Sequence, residues 1–223
     1  SSMVAQMNLA TGEPISAAGK TKKINLDASK FGVYLREHYC KPRGVVHVTD
    51  TVEQITKNED GSISKLTGST GKVYQADLFI DCTGFNRMYL PKMKEDFFLP
   101  TYEYKVEYED KVPYDDFYIE PFPGMSGYFW YFPLGGKFAH IGAGDYNKDH
   151  IKATDRFLKK HGGKIVQTKG RPIRLATPDK CKPYYSGKVV GVGESIGTVY
   201  ALLGEGIIPS MQCVDIFLEN MHD

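Results

Sequence analysis

Apolar positions at Phe31, Tyr34 and Leu35, with His38 completing the series, recur at three- and four-residue spacing behind Asp27, a residue suited to cap a first turn. That spacing predicts an amphipathic helix ending near Lys41-Pro42. Val45 to Val48, Thr51 to Thr56, Ser62 to Leu66 and Val73 to Asp81 are runs rich in β-branched residues, punctuated by Asn, Asp and Gly. They predict hairpins and meanders. The end of the last run, Ala76 to Asp81, is apolar at successive central positions, which predicts a strand covered on both faces.

Farther along, Tyr102 to Tyr108 alternates strictly, as a half-buried antiparallel strand does. Tyr128 to Pro133 and Phe138 to Gly142, joined through Gly135-Gly136, predict another hairpin. His150 to His161 predicts a helix with Ile151, Phe157 and Leu158 inward, closed by Gly162-Gly163. Lys188 to Gly193 predicts a short buried strand. From Ile207 to Met221 a helix is expected to carry Ile207, Ile208, Met211, Val214, Phe217, Leu218 and Met221 on one face, with Pro209 tolerated in its first turn. Residues ahead of Asp27 mix small residues with turn formers and predict loop or edge strand.

These elements predict a mixed α/β protein in three stretches. Residues 1–90 and 184–223 carry helices and a buried strand, and 91–183 is an aromatic-rich antiparallel lobe between them.

Composition narrows the class. The chain has 223 residues, 41% hydrophobic and 25% charged, which excludes disordered, collagen-like and coiled-coil chains. A net charge of +1 supplies no global field for nucleic acid, so no nucleic-acid partner is expected. No apolar run approaches the roughly 20 residues of a membrane helix, and no signal-like segment opens the sequence. Cys40, Cys82, Cys181 and Cys213 are scattered without a C-x-x-C pair, so neither a metal site nor a disulfide framework is expected, and a reducing, cytoplasmic setting is the simpler reading.

Three stretches carry candidate chemistry. Asp81-Cys82-Thr83-Gly84-Phe85 ends a strand in small residues, either a tight turn or a crevice where a cofactor approaches the backbone. Gly193-Glu194-Ser195-Ile196-Gly197 precedes Gly204-Glu205-Gly206-Ile207 and a helix. Glycines there serve close packing or open the helix start to an anion or an electron-rich ring edge, and Glu194 is an acceptor suited to a sugar hydroxyl. In Tyr128-Phe129-Trp130-Tyr131-Phe132-Pro133, alternation puts Tyr128, Trp130 and Phe132 on one face and Phe129 and Tyr131 on the other, as core packing or as a wall for a large planar or apolar ligand.

In order and spacing these stretches resemble the geranylgeranyl reductase family of FAD-dependent oxidoreductases, which have the p-hydroxybenzoate hydroxylase fold. The resemblance implies part of a Rossmann-like FAD-binding domain beside an antiparallel substrate lobe. It implies that Cys82, Thr83 and Gly84 sit near FAD, that Gly193, Glu194 and Gly197 hold its ribityl and pyrophosphate region, and that Gly204, Glu205, Gly206 and Ile207 aim a helix start at the flavin pyrimidine. Tyr128, Trp130, Phe132 and Pro133 would face a long isoprenoid or lipid substrate, with NAD(P)H or another reductant as electron donor and peripheral membrane contact as an option. Glu194 and Ala201 replace the family's usual Asp and Pro. No G-x-G-x-x-G follows a strand, so the chain reads as a fragment lacking that first unit, with FAD affinity weak or absent in isolation.

The run from Gly44 to Phe85 is also similar to tryptophan halogenases, which carry a W-x-W-x-I-P segment where this chain has Tyr128 to Pro133. The expected function is reduction of isoprenoid carbon–carbon double bonds. A flavin monooxygenase or halogenase is the alternative, and a non-enzymatic lipid- or partner-binding module is a third reading. No residue is singled out as a general acid.

Overall fold

Asn58, Asp60 and Gly61 reverse the chain after its first strand. Gly61 takes a left-handed φ of 82°, its amide donates to Asn58 O at 3.0 Å, and the Asp60 carboxylate accepts from both the amide and the hydroxyl of Ser62. The computed structural model describes residues 28–147, 149–201 and 204–221. The chain divides into two units at Val48/Thr49. No described helix is long and apolar enough to cross a membrane.

The first unit contains helix α1 (Ala28–Leu35), continued by a wide π turn at Arg36–Cys40 and a tight 3-10 turn at Lys41–Arg43. Gly44, at φ 83°, stops it by placing its amide on Lys41 O. The expected helix is present, while its proposed cap Asp27 and all earlier residues lie outside the described residues. Val45 to Val48, expected as a strand, belongs to no strand, and Val46 is 82% exposed. The Val45 amide donates back to Cys40 O at 3.1 Å, closing the preceding turn rather than entering a ladder, and β-branched composition alone does not make a strand.

The second unit begins with a meander of β1 (Val52–Lys57), β2 (Ile63–Gly68) and β3 (Val73–Tyr74). Asp50 staples it: its carboxylate accepts from the Thr51 amide, the Ser69 and Thr70 hydroxyls and the Tyr74 phenol at 2.7–2.9 Å. Next comes β4 (Phe79–Asp81). It is an edge strand with Ile80 exposed, which corrects the expectation of a strand covered on both faces.

The aromatic lobe is a five-stranded antiparallel sheet in the order β6-β7-β8-β5-β9, from β5 (Phe98–Glu107), β6 (Tyr118–Pro121), β7 (Gly127–Gly135), β8 (Phe138–Asp145) and β9 (Lys164–Arg174). Helix α2 (His150–His161) covers one face. Alternation selects that face: Tyr104, Val106 and Tyr108 from β5, Phe129 and Tyr131 from β7, and Ala139, Ile141 and Ala143 from β8 form one core around Phe157. Phe157 stacks on Phe129 with centroids 5.2 Å apart. The inward stripe of α2 is His150, Thr154 and Phe157, with Ile151 exposed against expectation. Thr154 is accommodated because its hydroxyl donates to Ile151 O at 2.8 Å.

The chain then returns to β4. β10 (Tyr185–Ser186) and β11 (Val189–Gly191) form with it a sheet ordered β10-β11-β4, and β11 runs parallel to β4. Helix α3 (Ile207–Glu219) follows. Its sequence is apolar on almost every side, so periodicity did not define the inward stripe. Pro209 is buried and Cys213 packs on the core of Ile63, Leu90, Val189 and Ile196, whereas Ile207, Ile208, Met211, Val214, Leu218 and Met221 are exposed, contrary to the expected buried face.

Candidate functional site

Parallel pairing of Phe79 with Val189, Ile80 with Val190 and Asp81 with Gly191 brings β4 and β11 to a common end. The chain leaves them through Cys82-Thr83-Gly84 and Val192-Gly193-Glu194, outlining the kind of crevice at which parallel strands bind ligands. Asp81 is fully buried beneath it. Its Oδ1 accepts from the Thr83 amide at 2.9 Å and hydroxyl at 2.6 Å, and its Oδ2 from the Tyr89 amide at 2.9 Å. The Ser195 hydroxyl lies 2.9 Å from Asp81 O, and the Val192 amide donates to the same oxygen at 3.1 Å, so the two exits are bonded to each other.

The predicted cofactor residues therefore come together, though not all as expected. Gly84 and Gly193 adopt left-handed φ of 64° and 76°. A Cβ on Gly84 would lie 3.2 Å from the Glu194 carboxylate, and one on Gly193 would lie 3.0 Å from Ser210 Oγ on α3. The Thr83 hydroxyl is turned inward onto Asp81. Glu194 uses Oε1 to accept the Arg174 amide at 2.8 Å, which makes it a brace of the loop rather than an outward acceptor through that oxygen. Gly197 is required by packing, since a Cβ there would meet Ala176 O at 2.5 Å and Cys181 Sγ at 2.6 Å. Cys82 is exposed, and partial burial together with Asp81 and Cys213 pushes its thiol up, so it is protonated at neutral pH.

Gly204, Glu205 and Gly206 lead into α3 at Ile207, with Tyr200 and Glu205 forming a bridge whose amide-to-carbonyl distance is 2.8 Å. No side chain caps α3, and Pro209 offers no amide, so the leading amides of Ile207 and Ile208 have no intrahelical partner. A Cβ on Gly204 would lie 3.2 Å from the Tyr128 hydroxyl. The aromatic sheet face thus adjoins the approach to α3.

On that face alternation holds: Tyr128, Trp130 and Phe132 lie opposite the helix-covered core that takes Phe129 and Tyr131. Tyr128 and Trp130 have centroids 5.7 Å apart, and Phe132 lies 6.0 Å from Phe117. Pro133 is the exception to the sequence expectation. It pairs with core residue Ala139 and is buried on the side of Phe129 and Tyr131. Glu103 lies 3.4 Å from His140 Nδ1 and accepts the Trp130 indole proton. Burial, reinforced by Glu205, pushes the Tyr128 phenol up to about 12.

Sequence reading missed two buried arginines. Arg87, at a left-handed φ of 46°, donates to Pro91 O, Ser195 O and Pro183 O at 2.6–2.9 Å. Arg174 donates to Asp96 through Nε and Nη2, and to Glu194 O and Phe85 O at 3.0 and 2.7 Å. The available signal was Ile173 and Leu175 flanking Arg174, since an arginine within an apolar run is buried only when paired. Among the described residues no group of three or more His, Cys, Asp or Glu is placed to hold a metal ion.

The chain is 33% identical over 123 residues to the tryptophan 7-halogenase RebH of Lentzea aerocolonigenes, covering 51% of this chain and 23% of that protein. It is 30% identical over 140 residues to the tryptophan 6-halogenase ThaL of Streptomyces albogriseolus, covering 59% and 26%. It therefore spans about a quarter of these curated relatives' length. Among solved structures, BrvH, a flavin-dependent halogenase from Brevundimonas, superposes with a TM-score of 0.63 at 21% identity, over 88% of this chain and 41% of that one. A geranylgeranyl bacteriochlorophyll reductase-like protein from Thermoplasma acidophilum superposes at 0.69 and 19% identity, over 91% and 58%. At such identities the structural matches speak for the shared fold, and they include both families whose motifs the sequence resembles. The sequence match decides between them: the tryptophan halogenase family profile covers residues 15–221, and the chain belongs to that family.

Proposed function

We propose that this chain is part of a flavin-dependent halogenase that places a halogen on an indole ring, with free tryptophan as the first substrate to test. The observation that carries this reading is the family match across residues 15–221, with curated relatives named as tryptophan 6- and 7-halogenases. It replaces isoprenoid reduction as the leading function, and it replaces NAD(P)H with reduced flavin, delivered by a flavin reductase, as the direct electron donor.

The residues present fit a flavin on two counts. The crevice is lined by left-handed glycine backbone at Gly84 and Gly193, and α3 starts without a side-chain cap, with leading amides suited to an electron-rich ring edge or a phosphate. Bound reduced flavin would supply the two electrons that, with oxygen, chloride and a proton, convert an aryl C–H to C–Cl and release two waters. The chain's own part is positional. Asp81 fixes the turn at Thr83, the uncapped start of α3 presents partial positive charge, and the half-buried Tyr128 ring lies beside Gly204, where an indole can stack, with the buried Trp130 ring tilted 55° to it.

The test is turnover of the full-length protein with tryptophan, chloride, oxygen and a flavin reductase, read by mass spectrometry. A product with the isotope doublet of one chlorine, lost without oxygen or chloride, is the expected result. Unaltered tryptophan, together with anaerobic saturation of a geranylgeranyl substrate, would instead favour the reductase reading that the Thermoplasma acidophilum likeness keeps open.

A further inference from the structure

The Arg174 guanidinium is 3% exposed and every one of its N–H groups is engaged. Nε and Nη2 make a two-point contact with the Asp96 carboxylate at 3.0 and 2.9 Å. Nη1 donates to Glu194 O at 3.0 Å and reaches Gly84 O at 3.5 Å, and Nη2 also donates to Phe85 O at 2.7 Å. The Arg174 amide donates in turn to the Glu194 carboxylate at 2.8 Å, and the guanidinium lies 5.1 Å over the Phe85 ring. The carbonyls it holds belong to neither strand ladder. They lie in the turn after β4 and the turn after β11, while Arg174 itself is the last residue of β9.

We infer that Arg174 is the positioning residue of the crevice: one buried guanidinium sets the spacing of the Gly84–Phe85 turn and the Gly193–Glu194 turn, and ties both to the end of the aromatic sheet. This rests on the flavin reading for its functional meaning but not for its geometry. A buried ion pair is a poor source of net stability compared with apolar packing, whereas a planar fork with fixed donors is a good way to hold several acceptors in register. Arg87 makes the companion contact from the other side, to Ser195 O within the same turn after β11.

The experiment compares full-length wild type, Arg174→Lys and a control, Asp50→Asn, which weakens the β1–β3 staple without touching the crevice. Lysine keeps the charge and loses the fork. Amide hydrogen exchange without added flavin should show Arg174→Lys exchanging about tenfold or more faster at residues 82–85 and 193–197, the ratio expected for one charge-assisted hydrogen bond, with β5 to β8 unchanged. FAD affinity, read by fluorescence quenching, should fall by a similar factor, while Asp50→Asn leaves both unchanged. Wild-type exchange at either turn in Arg174→Lys overturns the inference. Loosened turns with unchanged FAD affinity also overturn it as a positioning role. A wild type that takes up no FAD, with the turns still loosened by the substitution, sinks the flavin reading alone. Should Arg174→Lys fail to fold, Asp96→Asn removes the carboxylate charge and must shift the same amides in the same direction.

Discussion

The indole Nε1 of Trp130 donates to Glu103 Oε2 at 3.1 Å across an intervening strand. Gly142 of β8 pairs with both residues, so Trp130, Gly142 and Glu103 form one row across β7, β8 and β5. The ring lies flat over the glycine because nothing rises from that position. One missing side chain thus fixes the orientation of the chain's single tryptophan.

Gly142→Ala should therefore be costly although alanine is small. An added Cβ would overlap the Trp130 ring, forcing the indole up and breaking its bond to Glu103. The expected loss is about 1–3 kcal/mol of stability in urea titration. A red shift of Trp130 emission should accompany it, and a variant as stable and as blue-emitting as wild type contradicts the platform.

Phe157 gathers Phe129, Tyr131 and Tyr118 within 6.3 Å between centroids, and it is the main apolar contact of α2 with the sheet. Phe157→Ala should cost about 3–5 kcal/mol. Equilibrium denaturation measures it, and a loss below about 1 kcal/mol would show that α2 closes the gap by shifting.

Replacing Asp81 acts at the crevice directly. Asp81→Ala removes a fully buried carboxylate and takes away the acceptor of the part-buried Thr83 hydroxyl and of the Thr83 and Tyr89 amides. Stability should fall by at least about 2 kcal/mol, and FAD affinity should fall with it because the Cys82–Gly84 turn is held from below. Calorimetry with and without FAD separates the two effects.

At alkaline pH the Tyr128 phenol sets a sign. Its folded pKa of about 12 exceeds the unfolded value of about 10, so the folded state keeps a proton that the unfolded chain has lost. Its contribution to stability is complete below about pH 10 and is lost as pH rises from there through about 12. Tyr104 and Tyr118, also raised to about 12 chiefly by burial, act the same way. Tyr128→Phe should flatten this limb in part, and an unchanged limb would place the phenol in water.

Much of the lobe was legible because its elements pattern themselves: α2 begins at His150 and ends at His161 as spacing predicts, and alternation correctly separated Trp130 from Tyr131. Helix α3 was legible as a helix but not in its facing, since residues that are apolar all round define no stripe. The edge strands β6 and β9 were missed; β9 contains Lys164, Lys169, Gly170 and Pro172 and gets its order from the β5 ladder rather than from its own composition. The crevice glycines were visible as motifs. What joins their loops was not, because Arg174 and Arg87 act on carbonyls far away in sequence, and the apolar neighbours of Arg174 signal its burial but not its partners.

The parallel pairing of Phe79 with Val189 has a consequence for the order of assembly. The whole antiparallel lobe lies between these residues, so closing β4 onto β11 directly would cost the entropy of a very long loop. Once the local hairpins of β6, β7 and β8 have formed and β5 and β9 have paired onto them, that loop is short-circuited and its two ends are delivered side by side. Pulse-labelled hydrogen exchange during refolding should find β7 and β8 protected before β4 and β11, and simultaneous protection would refute this sequence of events. The crevice is then the last part of the chain to form and the first to open, which makes it the point where ligand binding exerts the most leverage over whether the chain stays folded.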